Sequence, residues 1–141
     1  ISGDHVLPRI SPAVTVHPQQ RPSPLADFLD SLAKVAALEV DEVLPAHEYR
    51  FRGLKGRVAA LVHHHETRLA EVVDAVRERP GVTAWDIAQQ LTWARPWDTI
   101  PSFLRRSAAG ETLAHLLVGQ ARGLVTTSYR APATQYWTPS N

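Results

Sequence analysis

The spacing of apolar residues along the chain predicts three amphipathic helices. Ser23-Pro24 suits a helix start, with serine as N-cap and proline in the first turn, so the first helix begins there. Longer patterns with the same three- and four-residue spacing predict helices over residues 55–79 and 107–122. The three apolar stripes are Leu25, Phe28, Leu29, Leu32, Val35 and Ala36; Val58, Leu61, Val62, His65, Leu69, Val72 and Val76; and Leu113, Leu116, Leu117 and Ala121.

Shorter patterns between and after these helices predict turns and strands. Pro80-Gly81 ends the long helix, and Thr83 with Asp86 three residues later is a capping-box pattern that starts a short one. The core side of that short helix is predicted to be Trp85, Ile87, Ala88 and Leu91. Residues 92–101 are too irregular to assign. Residues 124–129 and 134–137 are predicted to pair as a hairpin.

The first third of the chain predicts short strands and a proline-rich connector. Residues 40–44 are predicted to form a strand that Pro45 ends, and residues 13–16 a second short strand. Asp4 and His47 each lie beside a short apolar segment that a proline closes. We therefore expect Asp4 and His47 to lie close together at the ends of neighbouring strands. The sheet face around Val14, Val16, Val43 and Leu44 is expected to need a cover, such as a partner chain or an upstream fragment.

Length and composition limit the number of domains and the kinds of binding site that this chain can form. The 141 residues are enough for one ordinary domain or two small ones. There is no Cys, so a metal site must use histidine and carboxylate. The net charge of +1 does not favour nucleic-acid binding. No apolar run is long enough for a membrane span and no signal-peptide pattern is present, so we expect a cytoplasmic protein. Because the chain begins with Ile1 and has no Met, we expect the C-terminal part of a longer protein.

Four short motifs resemble those of one hydrolase family. They are Ser2-Gly3-Asp4, Leu44-Pro45-Ala46-His47, His64-His65-Glu66-Thr67-Arg68-Leu69 and Glu111-Thr112-Leu113-Ala114-His115-Leu116. In this order they resemble the C-terminal part of a metallo-β-lactamase-fold hydrolase, in the branch that carries an appended winged-helix domain. Ala46 and Glu48 depart from the pattern, since the family commonly has glycines there. The family's His-x-His-x-Asp-His cluster does not occur in this chain.

The resemblance implies an α+β fold in two parts. Residues 1–54 would be the C-terminal segment of the metallo-β-lactamase αββα layer, with short strands and one helix. Residues 55–141 would be a winged-helix domain led by a long linking helix. Asp4 would bridge two divalent metal ions, with zinc expected, and His47 would complete one coordination sphere. The resemblance assigns no catalytic side chain beyond these metal ligands.

Each candidate residue also has a structural explanation. Asp4 is in a position to cap a turn after Gly3, and His47 is compatible with an ordinary exposed loop histidine. His5 is at most a neighbour of the ligands, and His17 is expected to be solvated. His63, His64 and His65 cannot converge on one ion, because successive helical residues point about 100° apart. We expect His65 to be a hydrogen-bonded core residue, and His115 to be structural.

Two functions of different classes follow. The first is a fragment of a binuclear hydrolase acting on a small-molecule thioester, lactone, β-lactam or phosphodiester. It would work with the missing N-terminal half, as a monomer or a homo-oligomer, and the chain alone is expected to be inactive. The alternative is a non-enzymatic winged-helix interaction or nucleic-acid-binding module. Glu111 on the presumed recognition helix argues against duplex DNA, although Tyr129, Tyr136 and Trp137 of the hairpin are able to stack on bases.

Overall fold

The computed structural model describes residues 1–16, 22–130 and 134–140. They form a mixed structure of helices and one small antiparallel sheet. The helices are α1 (Pro24–Ala36), α2 (Leu54–Glu78), α3 (Ala84–Ala88), a 3₁₀ turn (Trp97–Thr99) and α4 (Ser102–Ala121). The strands are β1 (Val125–Arg130) and β2 (Thr134–Pro139). His17 and the tip of the hairpin, residues 131–133, lie outside the described residues.

The helices α1 and α2 confirm the sequence prediction to within a residue or two. Ser23 is the N-cap of α1, although its hydroxyl makes no capping hydrogen bond. The predicted apolar stripe of α2 faces inward, with Val62 half-buried and the rest buried. Helix α2 ends before Gly81, which has a φ of +80° that glycine adopts without steric cost.

The capping box predicted at the start of α3 is present. The Thr83 hydroxyl accepts from the Asp86 amide, and the Asp86 carboxylate accepts from the Thr83 amide and hydroxyl. The hydrogen bond from the Thr83 hydroxyl is the main reason that the pKa of Asp86 is lowered. Val82, just before this box, makes an antiparallel bridge to Trp137 of β2. The β1–β2 hairpin, itself confirmed, is thereby joined to the loop that leads into α3.

Helix α4 differs from its prediction at its start and on one face. It begins at Ser102, five residues before the predicted start at 107, because Pro101 is a suitable residue to precede a helix and Phe103 and Leu104 continue it. These two apolar side chains are exposed, so the inward-facing pattern could not reveal the first turn. Ala121, predicted to face the core, is exposed. Trp85 of α3 was also predicted to be a core residue, but it packs edge-on against Trp97 and is 41% exposed.

The two short strands predicted near the N-terminus are wrong. Residues 13–16 have no strand pairing, and residues 40–44 contribute only a single antiparallel bridge between Val43 and Phe51. A strand forms only where a neighbouring backbone pairs with it over several residues. Near these segments, the described chain has only isolated single-residue bridges. The expected uncovered face is also partly wrong. Val43 is buried and Val14 and Val16 are half-buried within this chain, whereas Leu44 is exposed.

Buried apolar residues form two clusters that share α1 and α2. The smaller cluster contains Val6, Leu32, Val43, Leu54, Val58 and Leu61. The larger one joins Leu25 and the second half of α2 to α3, α4 and the hairpin, with Trp137 fully buried in it. Since α2 contributes its first half to one cluster and its second half to the other, it links the two parts of the chain. The domain boundary between residues 54 and 55 stays a prediction.

None of the helices in the described ranges combines the length and apolar character required to cross a bilayer.

Candidate metal-binding edge

Asp4 lies in a tight turn that its neighbours hold in place. The turn is closed by a hydrogen bond from the His5 amide to the Ser2 carbonyl, at 3.0 Å. The Ser2 hydroxyl donates to the Val6 carbonyl at 3.0 Å. Val6 and Leu7, which follow, are buried, and Val6 belongs to the smaller apolar cluster. The turn therefore presents the Asp4 carboxylate outward while the chain after it points inward.

A short parallel pairing brings His47 to this turn. The Ser2 amide donates to the Leu44 carbonyl at 2.9 Å, and the Ala46 amide donates to the Gly3 carbonyl at 3.0 Å. These two bonds set residues 44–46 alongside residues 2–3. The His47 Nε2 atom consequently lies 3.2 Å from Asp4 Oδ1. The predicted proximity of the two side chains is confirmed, although single-residue bridges replace the predicted strand ends.

The loop around this pair is held by two further contacts. The Glu48 carboxylate accepts a hydrogen bond from the Arg9 amide at 3.1 Å. Arg57 of α2 donates from Nε to the Leu7 carbonyl at 2.6 Å, and from Nη2 to the Ile10 carbonyl at 2.8 Å. Sequence reasoning missed Arg57 as a support of this edge. Its position on the long helix shows no pattern that distinguishes it from an ordinary solvated arginine.

The geometry of Asp4 and His47 fits two ligands of one tetrahedral zinc ion. Two donor atoms that each lie about 2.0–2.1 Å from such an ion are about 3.3 Å apart. The observed separation is 3.2 Å, and both side chains are open to solvent, at 64% and 67% exposure. The same distance also suits a simple hydrogen-bonded ion pair. In the described part of the chain, no three histidine, aspartate or glutamate side chains are arranged to hold a metal. Asp4 and His47 thus form a pair, below the three side chains of such a group.

The remaining histidines lie elsewhere. His5 turns away from the edge: its Nε2 is 3.1 Å from the Ser31 hydroxyl, and its ring packs edge-on against Phe28. His63 and His64 lie on the exposed side of α2. His65 is the hydrogen-bonded core residue that its place in the stripe predicted, with its Nδ1 3.3 Å from His115 Nε2. Burial is the main cause that lowers the pKa of both His65 and His115 to about 4.

The two other motif residues, Arg68 and Glu111, belong to the helical part of the structure. Arg68 donates to Glu71 and to the Thr92 carbonyl, and its guanidinium lies 4.7 Å over the Trp93 ring. Burial raises the pKa of the Glu111 carboxyl, and the nearby Arg68 partly opposes this. These contacts brace α2 against the loop after α3. They lie apart from Asp4 and His47, to which no described contact connects them.

The aromatic residues of the hairpin divide between core and surface. Trp137 is fully buried and Tyr129 is exposed. Tyr136 is half-buried. The hairpin therefore presents one of the three predicted stacking residues freely to solvent.

Comparisons with known proteins give one curated relative and several solved structures, while no protein-family model matches the chain. The chain is 30% identical over 74 residues to the lactamase-like protein vrtG of Penicillium aethiopicum, an alignment covering 48% of this chain and 24% of that protein. A beta-lactamase domain protein from Burkholderia ambifaria is 34% identical, with a TM-score of 0.88 over 99% of this chain and 41% of that chain. A metallo-beta-lactamase family protein from Thermus thermophilus is 29% identical, with a TM-score of 0.80 over the same shares.

The chain thus spans about a quarter of the curated relative and about two fifths of each solved structure. The likeness to the two solved structures covers 99% of this chain, whereas the alignment with the curated relative covers 48% of it. The chain is similar to part of a metallo-β-lactamase-fold protein, and this similarity supports its description as a hydrolase-fold fragment.

Proposed function

We propose that the chain is part of a binuclear metal-dependent hydrolase in which Asp4 and His47 are metal ligands. The observation that carries the proposal is the 3.2 Å separation of His47 Nε2 and Asp4 Oδ1 across a short parallel pairing. A carboxylate and an imidazole are ligands that zinc takes readily. The similarity to metallo-beta-lactamase family structures agrees with divalent metal use.

In this proposal Asp4 and His47 would hold the divalent ions. Bound there, the ions would supply activation of a water molecule and polarisation of the scissile carbonyl or phosphoryl group. The chain's own contribution is to fix the two ligands. The backbone pairing of residues 2–3 with 44–46 sets their spacing, and the Glu48–Arg9 hydrogen bond steadies the loop that follows His47. The substrate is a small thioester, lactone, β-lactam or phosphodiester.

The remaining ligands would come from an upstream part of the same protein. Two ligands leave a binuclear site incomplete, and the solved structures similar to this chain are more than twice as long. An apolar cavity of about 180 Å³ lies beside the edge, lined by residues that include Ile1, Leu38 and Val40. All three side chains are exposed. This is where the upstream part is proposed to pack.

The test uses the longer protein and the 141-residue chain side by side. The longer protein should contain close to two equivalents of metal and hydrolyse a thioester or phosphodiester. Asp4→Ala and His47→Ala should each lose metal and reduce turnover by at least a hundredfold, on the scale of removing a group essential for transition-state stabilisation. His63 is an exposed histidine on α2, so His63→Ala is the matched control. It should leave the metal content and the turnover unchanged.

The 141-residue chain alone should show no turnover and no tight binding of two zinc ions. Near-stoichiometric zinc with turnover in this short chain would mean that the ligands have been misassigned. Full metal content in the Asp4→Ala and His47→Ala variants of the longer protein would contradict the proposal just as directly.

A second candidate role concerns the C-terminal part, which we propose to be a winged-helix interaction module. The order α2, α3, α4, β1, β2, with a single bridge between Val82 and Trp137 of β2, supports it. In this arrangement α4 occupies the place of a recognition helix. Its partner is proposed to be protein surface, including the upstream part of the same chain, because α1 and residues 14–16 already pack against it.

A further inference from the structure

Arg57 of α2 binds the chain that leaves the Asp4 turn at two points. Its Nε donates to the Leu7 carbonyl at 2.6 Å, and its Nη2 donates to the Ile10 carbonyl at 2.8 Å. These contacts join positions that lie 50 and 47 residues apart in the sequence. One half-buried guanidinium therefore ties both ends of the segment 7–10 to the helix.

The Leu7 carbonyl belongs to a peptide unit that has no donor of its own. Pro8 follows Leu7 and lacks an N–H, so this peptide unit cannot pair with a neighbouring backbone in both directions. Leu7 is buried, and its hydrogen bond to Arg57 is partly buried. Loss of the donor would leave that carbonyl without this partner, which is unfavourable. The position of the Leu7 backbone is therefore sensitive to Arg57.

The peptide unit before Leu7 connects this tie to the Asp4 turn. The Val6 carbonyl accepts a hydrogen bond from the Ser2 hydroxyl at 3.0 Å. The Ser2 amide belongs to the backbone pairing with residues 44–46, which places His47 Nε2 3.2 Å from Asp4 Oδ1. Successive carbonyls at residues 6 and 7 thus bind the turn on one side and α2 on the other.

A further hydrogen bond holds the same segment from the side of the His47 loop. The Glu48 carboxylate accepts from the Arg9 amide at 3.1 Å, and Glu48 directly follows His47. The Arg9 amide therefore binds this loop, while the carbonyls on either side of it bind α2. The segment 7–10 thus connects the loop that carries His47 to the helix that carries Arg57.

Residues 11–16 have other contacts, farther from the turn. The Ser11 hydroxyl lies 3.3 Å from His65 Nε2, and residues 14 and 16 are half-buried against the larger apolar cluster. Of the α2 side chains with described hydrogen bonds to residues 1–16, Arg57 binds nearest to Asp4 along the chain.

We propose that Arg57 is a positioning residue that fixes the backbone behind Asp4, and so holds Asp4 and His47 at the spacing needed for metal binding. This inference rests on the proposed function, in which these two side chains are ligands. Both are open to solvent, at 64% and 67% exposure, so the backbone rather than side-chain packing sets where they lie. The two described hydrogen bonds of Arg57 go to carbonyls of that backbone.

The shape of the arginine side chain supplies a sharp substitution. A guanidinium presents its donors in a rigid plane and is able to bind two acceptors at once, whereas a lysine ammonium is a compact point charge. Arg57→Lys therefore keeps the charge and loses the fork. Arg77→Lys is the matched control, because Arg77 is an exposed arginine near the other end of the same helix.

The first experiment measures hydrogen exchange of the arginine Nε–H groups by NMR in the unmodified 141-residue chain. The Arg57 Nε–H should exchange at least about tenfold more slowly than that of Arg77, since only the former donates to a partly buried carbonyl. Equal exchange rates would overturn the proposal. No substitution is involved, so the result does not depend on a variant that folds.

The second experiment follows the backbone pairing itself in the metal-free chain. The Ala46 amide, which donates to the Gly3 carbonyl, should exchange at least about threefold faster in Arg57→Lys than in wild type. Amides in the middle of α4 should keep their wild-type rates, which shows that the change is local. Arg77→Lys should match wild type throughout. An unchanged rate at Ala46 would mean that Arg57 does not hold this edge.

The third experiment measures the zinc dissociation constant of the longer protein by competition with a chelator. Arg57→Lys should weaken zinc binding at least about tenfold, on the scale seen when a group that orients a metal ligand is lost. Gly119→Ala, which crowds the packing of α4 far along the chain from this edge, should leave zinc affinity unchanged. An equal loss in both variants would show a general effect of stability and would contradict a positioning role.

Failure of the inference and failure of the proposed function give different results. Wild-type longer protein that binds zinc, together with unchanged affinity in Arg57→Lys, would remove the positioning role and leave the ligands in place. Wild-type longer protein that binds no zinc would remove the proposed ligands, and the positioning role with them.

Discussion

Glu48 has a left-handed backbone at φ +71°, where the described chain otherwise has only glycines with positive φ. The residue follows His47 directly, at a position where the family pattern commonly has glycine. A side chain in this conformation costs about 1–2 kcal/mol, because its Cβ crowds the following carbonyl oxygen. The glutamate offsets part of this cost by accepting a hydrogen bond from the Arg9 amide. The departure from the motif therefore keeps the backbone shape that glycine would provide.

Glu48→Gly should be more stable than Glu48→Ala by about 1 kcal/mol, because both lose the hydrogen bond to Arg9 and only glycine relieves the strain. Urea unfolding of the two variants measures this difference. The comparison is matched, since each variant lacks the carboxylate. Alanine equal to or more stable than glycine would show that the turn carries no strain.

At the scale of single elements, the helical glycines report how closely the elements approach. A Cβ added at Gly119 of α4 would lie 3.3 Å from a Val125 methyl carbon of β1 and 3.4 Å from a Leu69 methyl carbon of α2. A Cβ added at Gly56 of α2 would meet nothing within 4 Å. The first glycine therefore lies in tight packing between three elements. At the second position, nothing in the packing excludes a side chain, and glycine favours the helix less than alanine would.

Gly119→Ala should destabilise the chain by about 1–2 kcal/mol, because overpacking in a closed core outweighs the gain in helix propensity. Gly56→Ala should stabilise it by about 0.5–1 kcal/mol, since alanine orders the helix without a clash. Thermal or urea unfolding of both variants checks the pair. Stabilisation by both substitutions would mean that α4 is free to shift away from Leu69 and Val125.

At the scale of the whole molecule, the second half of α4 is packed against other elements, while its first turn is exposed. Its residues Leu113 and Leu117 pack toward the larger cluster together with Phe28 and Leu29 of α1. Thr15 lies against Gly110 on the same helix. Over its packed half, α4 therefore has little surface to insert into a DNA groove. The chain also carries a net charge of only +1.

We expect no submicromolar binding of duplex DNA by the 141-residue chain at physiological salt. A fluorescence anisotropy titration at about 0.15 M salt, repeated at about 0.05 M, tests this, because phosphate-driven binding weakens steeply with salt. A basic winged-helix protein of known DNA affinity serves as the positive control. Tight, salt-sensitive binding would show that α4, or the exposed Tyr129 in the hairpin, reaches the nucleic acid despite its cover.

The sequence by itself determined the features that depend on neighbours within a few positions. Apolar spacing placed α1 and α2, and Thr83 with Asp86 marked the start of α3. These predictions succeed because helix periodicity and capping are local properties of the chain. The proximity of Asp4 and His47 was also predictable, from two similar segments each closed near a proline.

The tertiary structure alone decided what depends on residues distant in the chain. The strands predicted at 13–16 and 40–44 are absent, because a β-ladder exists only where another backbone lies alongside. Trp85 contacts the Trp97 ring at the surface instead of entering the core, and the first turn of α4 is apolar yet exposed. The contact between Ser11 and His65 spans 54 residues, and no spacing in the sequence encodes it. Packing brings these groups together, and local pattern cannot anticipate which distant groups will meet.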